Sequence, residues 1–120
     1  MKRDFDLVRR ILREVEGIPP GHHAKEFAFD GFAPDVVVAH TVLLVEAGLL
    51  DGTVTRFTSG KTGVAARGLT WAGHDFLDAV QDDTLWAKAK KTVLAPAGSA
   101  AFSVVLDWAK AEAKSRLGLP

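Results

Sequence analysis

Cysteine is missing from this sequence, and its absence excludes several kinds of chemistry. Without a thiol the chain can form no disulfide, no thiolate metal site and no cysteine nucleophile. The adjacent His22 and His23 have no further ligand spaced to join them around a metal. The segment Gly60-Lys61-Thr62 lacks the first glycine of a phosphate-binding loop, because Thr55 stands there. No nucleophile, base and orienting group share a suitable spacing, so we expect no enzyme activity, no cofactor and no metal.

An excess of charge and a long apolar run are missing as well. Lys+Arg and Asp+Glu both total 15, so the formal net charge is zero. Proteins held to nucleic acid by bulk charge are normally basic, so a DNA contact here would depend on a local patch. No run approaches the ~20 apolar residues that span a bilayer, and the N-terminus has no apolar signal core. We expect a cytoplasmic protein with no membrane partner.

The sequence does contain a stretch that organises the rest. Pro34 suits the first turn of a helix, and Gly48 suits its end. A strand follows and leaves at Phe57, then a flexible loop over Thr58–Gly63 and a return strand over Val64–Leu69. A helix followed at once by a two-stranded β-ribbon is typical of a winged-helix domain.

The predicted fold class is therefore α+β and mostly α. We expect a winged-helix-like domain over residues 1–94, with a two- to three-stranded antiparallel sheet and additional C-terminal helices. Residues 25–30 are expected to form a short strand with Phe27 and Phe29 on one face. Residues 95–120 are expected to be a linker and a C-terminal helix that packs on the domain or on a dimer partner. The predicted helix N-caps are Asp4, Thr70, Asp82 or Asp83, and Ser99.

The first helix, ending near Glu16, has a clear apolar stripe and a charged side. Arg9, Arg10 and Arg13 are expected to project away from the core. The stripe is formed by Phe5, Leu7, Val8, Ile11, Leu12 and Val15.

The helix between Pro34 and Gly48 is apolar on nearly every side, which predicts burial on more than one face. Its helical spacing places Val37, Thr41 and Leu44 on one side. The opposite side carries Asp35, Val38, Ala39, Val42 and Glu46. The helix contains no Arg, Lys, Asn or Gln, the side chains that make bidentate contacts to purine edges.

A nucleic-acid interface would therefore depend mainly on the hairpin. Arg56, Lys61 and Arg67 form the most convincing basic patch in the chain, and such a wing can lie along a phosphate backbone. His40 and Thr41 are the helix residues expected to meet bases. The alternative is a solvated hairpin whose charged edges discourage aggregation. The DNA-binding hypothesis has a further difficulty, because residues 17–33 leave little room for the first helix of a helix-turn-helix motif.

The alternative hypothesis is a protein interface that covers apolar side chains in excess of those that the core buries. Val38 and Val42 on the middle helix, and Val104 and Trp108 on the last helix, are the residues expected to meet a partner. A homodimer through the C-terminal helix is one form that such an interface could take.

The opening MKRDFDLVRRIL, the segment AHTVLLVEAGLL and the stretch GLTWAGHDFLDAVQDDTLW carry a family resemblance. They resemble a bacterial and phage family of unknown function, DUF family number 2513. The resemblance covers most of residues 1–91 and implies a small intracellular protein, often phage-associated, that looks like a winged helix. It implies no established activity, so no catalytic residue is carried over.

Two hypotheses follow. The first, which the frequency of DNA binding among winged-helix domains favours, is a DNA-binding regulator that contacts double-stranded DNA with its helix and uses its wing for phosphate contacts. The second is a protein-interaction module, such as a phage factor that docks on a host protein complex without binding DNA.

Overall fold

The computed structural model describes residues 1–94, 102–116 and 118 of the chain. It divides into two compact units, Met1–His74 and Asp75–Pro120. The predicted α+β class, mostly helical with a two-stranded antiparallel sheet, is confirmed. The predicted linker after Leu94 and the predicted cap Ser99 lie outside the described residues.

Helix α1, Phe5–Glu16, forms where the sequence predicts it. The Asp4 side chain accepts hydrogen bonds from the backbone N–H groups of Asp6 and Leu7, which satisfies two donors that the first turn leaves unpaired. All six residues of the predicted apolar stripe are buried. One expectation is wrong: Arg9 is buried rather than projecting into solvent.

The strand predicted for residues 25–30 is not present, because this segment has no neighbouring strand to pair with. Ala24 alone makes an isolated antiparallel bridge with Ala66, through backbone hydrogen bonds of 2.9 and 2.8 Å. The following phenylalanines are held by α1 instead. The Arg10 guanidinium lies 4.8 Å from the centroid of the Phe29 ring and 5.8 Å from that of Phe32. A cation over aromatic faces is an attractive arrangement at these distances.

Helix α2, Pro34–Glu46, begins with the predicted proline, whose missing N–H is not needed in a first turn. Ala47 ends the helix, and Gly48 then adopts a positive φ of 78°, which glycine tolerates without steric cost. The chain turns directly into the hairpin. Strands β1, Leu50–Arg56, and β2, Thr62–Leu69, pair in antiparallel fashion, so the predicted two-stranded ribbon is confirmed.

The register of the hairpin shifts between Asp51 and Gly52. A Cβ atom at Gly52 would lie 2.9 Å from the carbonyl oxygen of Ala65 and 3.0 Å from Cγ2 of Val45 on α2. Glycine is therefore what allows α2 and both strands to approach closely at this bulge.

Hydrogen bonds connect the start of helix α3, Trp71–Val80, to the turn after α2. The Thr70 hydroxyl donates to the carbonyl of Gly48 at 2.5 Å and accepts from the N–H of Gly73 at 3.0 Å, so Thr70 is the predicted N-cap. The N–H of Thr70 also donates to the carbonyl of Leu49 at 3.1 Å. A Cβ atom at Gly73 would lie only 2.1 Å from that same oxygen, so the close approach requires glycine.

The second unit contains further helices. Helix α4, Asp83–Ala89, is capped by the Asp82 side chain, which accepts from the N–H of Leu85 at 2.8 Å as predicted. A π-helical turn, Lys90–Leu94, continues it. Helix α5, Phe102–Arg116, is joined to α4 by an ion pair of 3.1 Å between Lys88 Nζ and Glu112 Oε2.

Candidate functional site

A groove of about 680 Å³ runs between α2 and the outer part of the hairpin, and Met1 also lines it. We call it the α2–hairpin groove. Helix α2 contributes Asp35, Val38, Ala39, Val42, Leu43 and Glu46. The hairpin contributes Arg56, Gly60, Lys61 and Thr62. A volume of this size lies within the range of ordinary ligand sites.

The helix wall of the groove follows directly from helical periodicity. Residues three and four apart lie on the same face, so the pairs 38/39 and 42/43 follow one another along successive turns. The apolar floor is formed by these four residues, with Asp35 at one end and Glu46 at the other. The two acids are eleven residues apart, which corresponds to about 16 Å along the helix. The opposite side of α2 packs inward, where Val37, Thr41 and Leu44 are buried.

The hairpin wall carries the positive charge of the groove. Arg56 Nη2 lies 3.7 Å from Glu46 Oε1, and their side chains are 67% and 57% exposed. An ion pair so long and so exposed contributes little stability, and the guanidinium remains accessible. Lys61 is exposed and has no ion-pair partner among the described residues. Because Arg56 pairs with Thr62 in the ladder, Lys61 lies next to it at the end of the hairpin.

Arg67 is not part of this wall, so only Arg56 and Lys61 of the predicted basic patch of Arg56, Lys61 and Arg67 line the groove. Arg67 lies five residues after Thr62 along β2, which separates it from the hairpin end by about 16 Å. It makes two hydrogen bonds to the Asp51 carboxylate, of 2.9 and 3.3 Å, and a third to the Thr53 hydroxyl of 2.9 Å. The hydrogen bonds lower the pKa of Asp51 and raise the pKa of Arg67.

His40 and Thr41 face the interior and cannot read bases, which corrects their predicted role. Their side chains are 1% and 0% exposed. His40 Nε2 accepts from the backbone N–H of Asp4 at 2.8 Å, while Nδ1 lies 2.8 Å from the carbonyl of Val36. The Thr41 hydroxyl donates to the carbonyl of Val37 at 2.8 Å. Both residues satisfy their polar atoms within the core, as buried polar groups must.

The residues predicted for a protein interface fall in two places. Val38 and Val42 line the α2–hairpin groove. Val104 and Trp108 lie on α5 in the second unit, where Val104 is 51% exposed and Trp108 is half-buried. The sequence reasoning did not identify Leu43 or Met1 as part of the site. Helical spacing from Ala39 and Val42 could have found Leu43, whereas no local signal could have placed Met1 beside α2.

The segment between α1 and α2 has no helix of its own. Residues 17–33 contain turns and the isolated bridge at Ala24 but no helix, so the first helix of a helix-turn-helix motif is missing from this segment. That helix ordinarily crosses the DNA backbone while the second helix enters the major groove.

No helix among the described residues is long and apolar enough to cross a membrane. Within the same described ranges, no cluster of three or more His, Asp or Glu side chains is arranged to hold a metal ion.

These features define a small α+β domain that presents an apolar groove between a helix and a β-hairpin. The chain belongs to the family described as Hypothetical protein (DUF2513), whose model matches residues 2–100. It is similar to an uncharacterized protein of Haemophilus influenzae, with 35% identity over 101 residues that cover 78% of this chain and 79% of the relative. No solved structure matches this chain, so the winged-helix interpretation stays a prediction.

Packing and helix capping explain most of residues 68–86, a stretch that carries the family resemblance. Thr70 and Asp82 cap helices, and Gly73 permits the contact with Leu49. Phe76, Leu77 and Trp86 are buried. Trp71 differs, because its side chain is 85% exposed at the start of α3.

Proposed function

We propose that this protein is a protein-interaction module that binds a segment of a partner protein in the α2–hairpin groove. The single observation that supports this most is the apolar floor formed by Val38, Ala39, Val42 and Leu43 between two walls. A concave apolar surface framed by a few polar groups is the usual form of a site that takes up a peptide side chain or a short helix.

The charges of the same region favour a protein partner over DNA. One of the three hairpin cations, Arg67, is closely paired with Asp51, whereas the longer pair of Arg56 with Glu46 leaves that guanidinium accessible. The affinity for a duplex grows with the number of phosphates that cations neutralise, and only Arg56 and Lys61 are accessible for this on the hairpin. An apolar floor also gains nothing from a phosphate backbone. The DNA-binding regulator is therefore the second candidate, supported by the exposed Lys61 and Arg56 at the hairpin end.

The experiment is a selection of random 16-residue peptides displayed on phage against the whole chain, followed by affinity measurements on the enriched peptides. Val38→Asn places a polar amide in the groove, and Val104→Asn is its matched control on the exposed part of α5. We expect Val38→Asn to weaken binding about tenfold, since a tenfold change corresponds to roughly 1.4 kcal/mol, and Val104→Asn to change it less than twofold.

Three results would contradict the proposal. The first is that no peptide is enriched. The second is that both asparagine variants bind the peptides like the wild type. The third is that only Val104→Asn abolishes binding, which would place the interface on α5. A titration with random-sequence duplex DNA across a salt series tests the second candidate. Binding that weakens steeply with salt and with Lys61→Ala would favour DNA.

A further inference from the structure

The two walls of the α2–hairpin groove differ in charge, and this difference bears on the chemistry of the partner. The helix wall is apolar over its central two turns and has its acids at the ends. The hairpin wall presents Arg56 and Lys61 side by side. The charge is thus divided across the groove, with cations along one side and an apolar strip along the other.

We propose that the groove binds an acidic amphipathic helix, a specification that rests on the proposed function. The apolar face of such a helix would pack on Val38, Ala39, Val42 and Leu43. Its carboxylates would project from the adjacent face toward Arg56 and Lys61. The length of the helix wall, about 16 Å between Asp35 and Glu46, matches a ligand helix of three turns.

The ion pair of Arg56 with Glu46 does not compete strongly with a ligand carboxylate. Its 3.7 Å separation is long for a charge-assisted hydrogen bond, which ordinarily measures 2.7–2.9 Å. Lys61 is held by no ion pair within the part of the chain that the structure describes. Both cations are therefore available to carboxylates that approach above the apolar floor.

Asp35 sets the polarity of the ligand. It lies at the N-terminal end of α2, where its carboxylate accepts a hydrogen bond from the N–H of Val36 at 2.9 Å and forms no ion pair with another described side chain. A ligand acid beside Asp35 would meet a like charge, which is unfavourable. The acids of the ligand therefore belong on the flank that faces the hairpin, and a neutral or basic residue belongs at the end that reaches Asp35.

The test repeats the displayed-peptide selection with the whole wild-type chain and with the double variant Arg56→Glu/Lys61→Glu. We expect the wild type to enrich peptides that are net acidic on one helical flank, and the double variant to enrich basic ones. A synthetic acidic peptide from the wild-type selection should bind the double variant at least tenfold more weakly and should lose affinity with added salt. Lys25→Glu, a reversal at an exposed lysine outside the groove, is the matched control and should leave the affinity unchanged.

The outcomes separate the two proposals. Peptides that are enriched without a charge bias, or with a basic bias, overturn the acidic helix while leaving a peptide-binding groove in place. Enrichment of extended peptides without helical periodicity overturns the helical form of the ligand. If no peptide is enriched against the wild type, the proposed function fails and this inference fails with it.

Discussion

Replacing Gly73 with alanine is the sharpest test of how the first residues of α3 pack against the turn after α2 within the first unit. The added Cβ atom would lie 2.1 Å from the carbonyl oxygen of Leu49, far inside van der Waals contact, and that oxygen belongs to the backbone. The start of α3 must then move away from the turn after α2. This movement strains two hydrogen bonds, from the Thr70 N–H to Leu49 and from the Thr70 hydroxyl to Gly48.

The magnitude follows from three contributions. Overpacking costs about 1–3 kcal/mol. Two weakened hydrogen bonds cost about 1 kcal/mol each. Alanine regains about 1 kcal/mol of helix propensity relative to glycine. The expected net destabilisation is therefore about 2–4 kcal/mol, a substantial part of the roughly 6–18 kcal/mol typical of a chain of this length.

The assay is urea unfolding monitored by far-ultraviolet circular dichroism. The loss in the free energy of unfolding is calculated from the shift of the transition midpoint, provided that the dependence of this free energy on urea concentration is unchanged. Gly68→Ala is the matched control, because a Cβ atom at Gly68 would meet nothing within 4 Å. That variant should stay within about 1 kcal/mol of the wild type, with stabilisation the favoured direction. The close approach of α3 to Leu49 is refuted if the free energies of unfolding of Gly73→Ala and of the wild type differ by less than about 0.5 kcal/mol, the usual effect of a surface substitution.

The remaining predictions concern the cap, the cross-strand pair and the exposed tryptophan. Thr70→Val should lower the free energy of unfolding by about 1–2 kcal/mol, since it removes both hydroxyl hydrogen bonds, whereas Thr70→Ser should cost less than about 0.5 kcal/mol; equal losses in urea unfolding would contradict this. The pKa of Asp51 is lower in the folded protein than its unfolded value of 3.8. Its pair with Arg67 therefore stabilises the hairpin fully at pH values above 3.8, and this stabilisation is lost as the pH falls through the lower, folded-state pKa. An NMR titration of the Asp51 carboxyl carbon should therefore show a midpoint below 3.8 that returns toward 3.8 in Arg67→Ala, and an unchanged midpoint would argue against the pair. Trp71→Ala should change the unfolding free energy by less than about 0.5 kcal/mol because the ring is 85% exposed, and a loss above 1.5 kcal/mol would show that the ring is packed.

The predictions that succeeded depend on neighbours close in sequence. Asp4, Thr70 and Asp82 cap helices because a short polar side chain can reach the free N–H groups only two or three residues ahead. The apolar period of α1 identified its buried face. A helix beginning at Pro34 and a β-ribbon after Gly48 also follow from local rules on proline, glycine and alternation.

The predictions that failed needed information from distant residues. The alternation around Phe27 and Phe29 is compatible with a strand, but a strand requires a partner backbone. Arg10 of α1 packs on the rings of Phe29 and Phe32 instead. Because α2 is apolar on nearly all sides, its sequence period could not show that His40 and Thr41 face inward. Arg56 and Arg67 are close in sequence, yet hairpin pairing puts them at opposite ends of the strands.

By itself, then, the sequence determined where the helices begin and end, which side of α1 is buried, and that a hairpin follows α2. Those features depend on backbone hydrogen bonds and side-chain periods within a few residues. Only the tertiary structure decided that the end of the hairpin lies beside the apolar strip of α2. The groove depends on the direction in which β1 leaves the turn at Gly48. That turn is held by the hydrogen bond from the Thr70 hydroxyl to the Gly48 carbonyl, and the absence of a side chain at Gly52 leaves room for Val45 of α2.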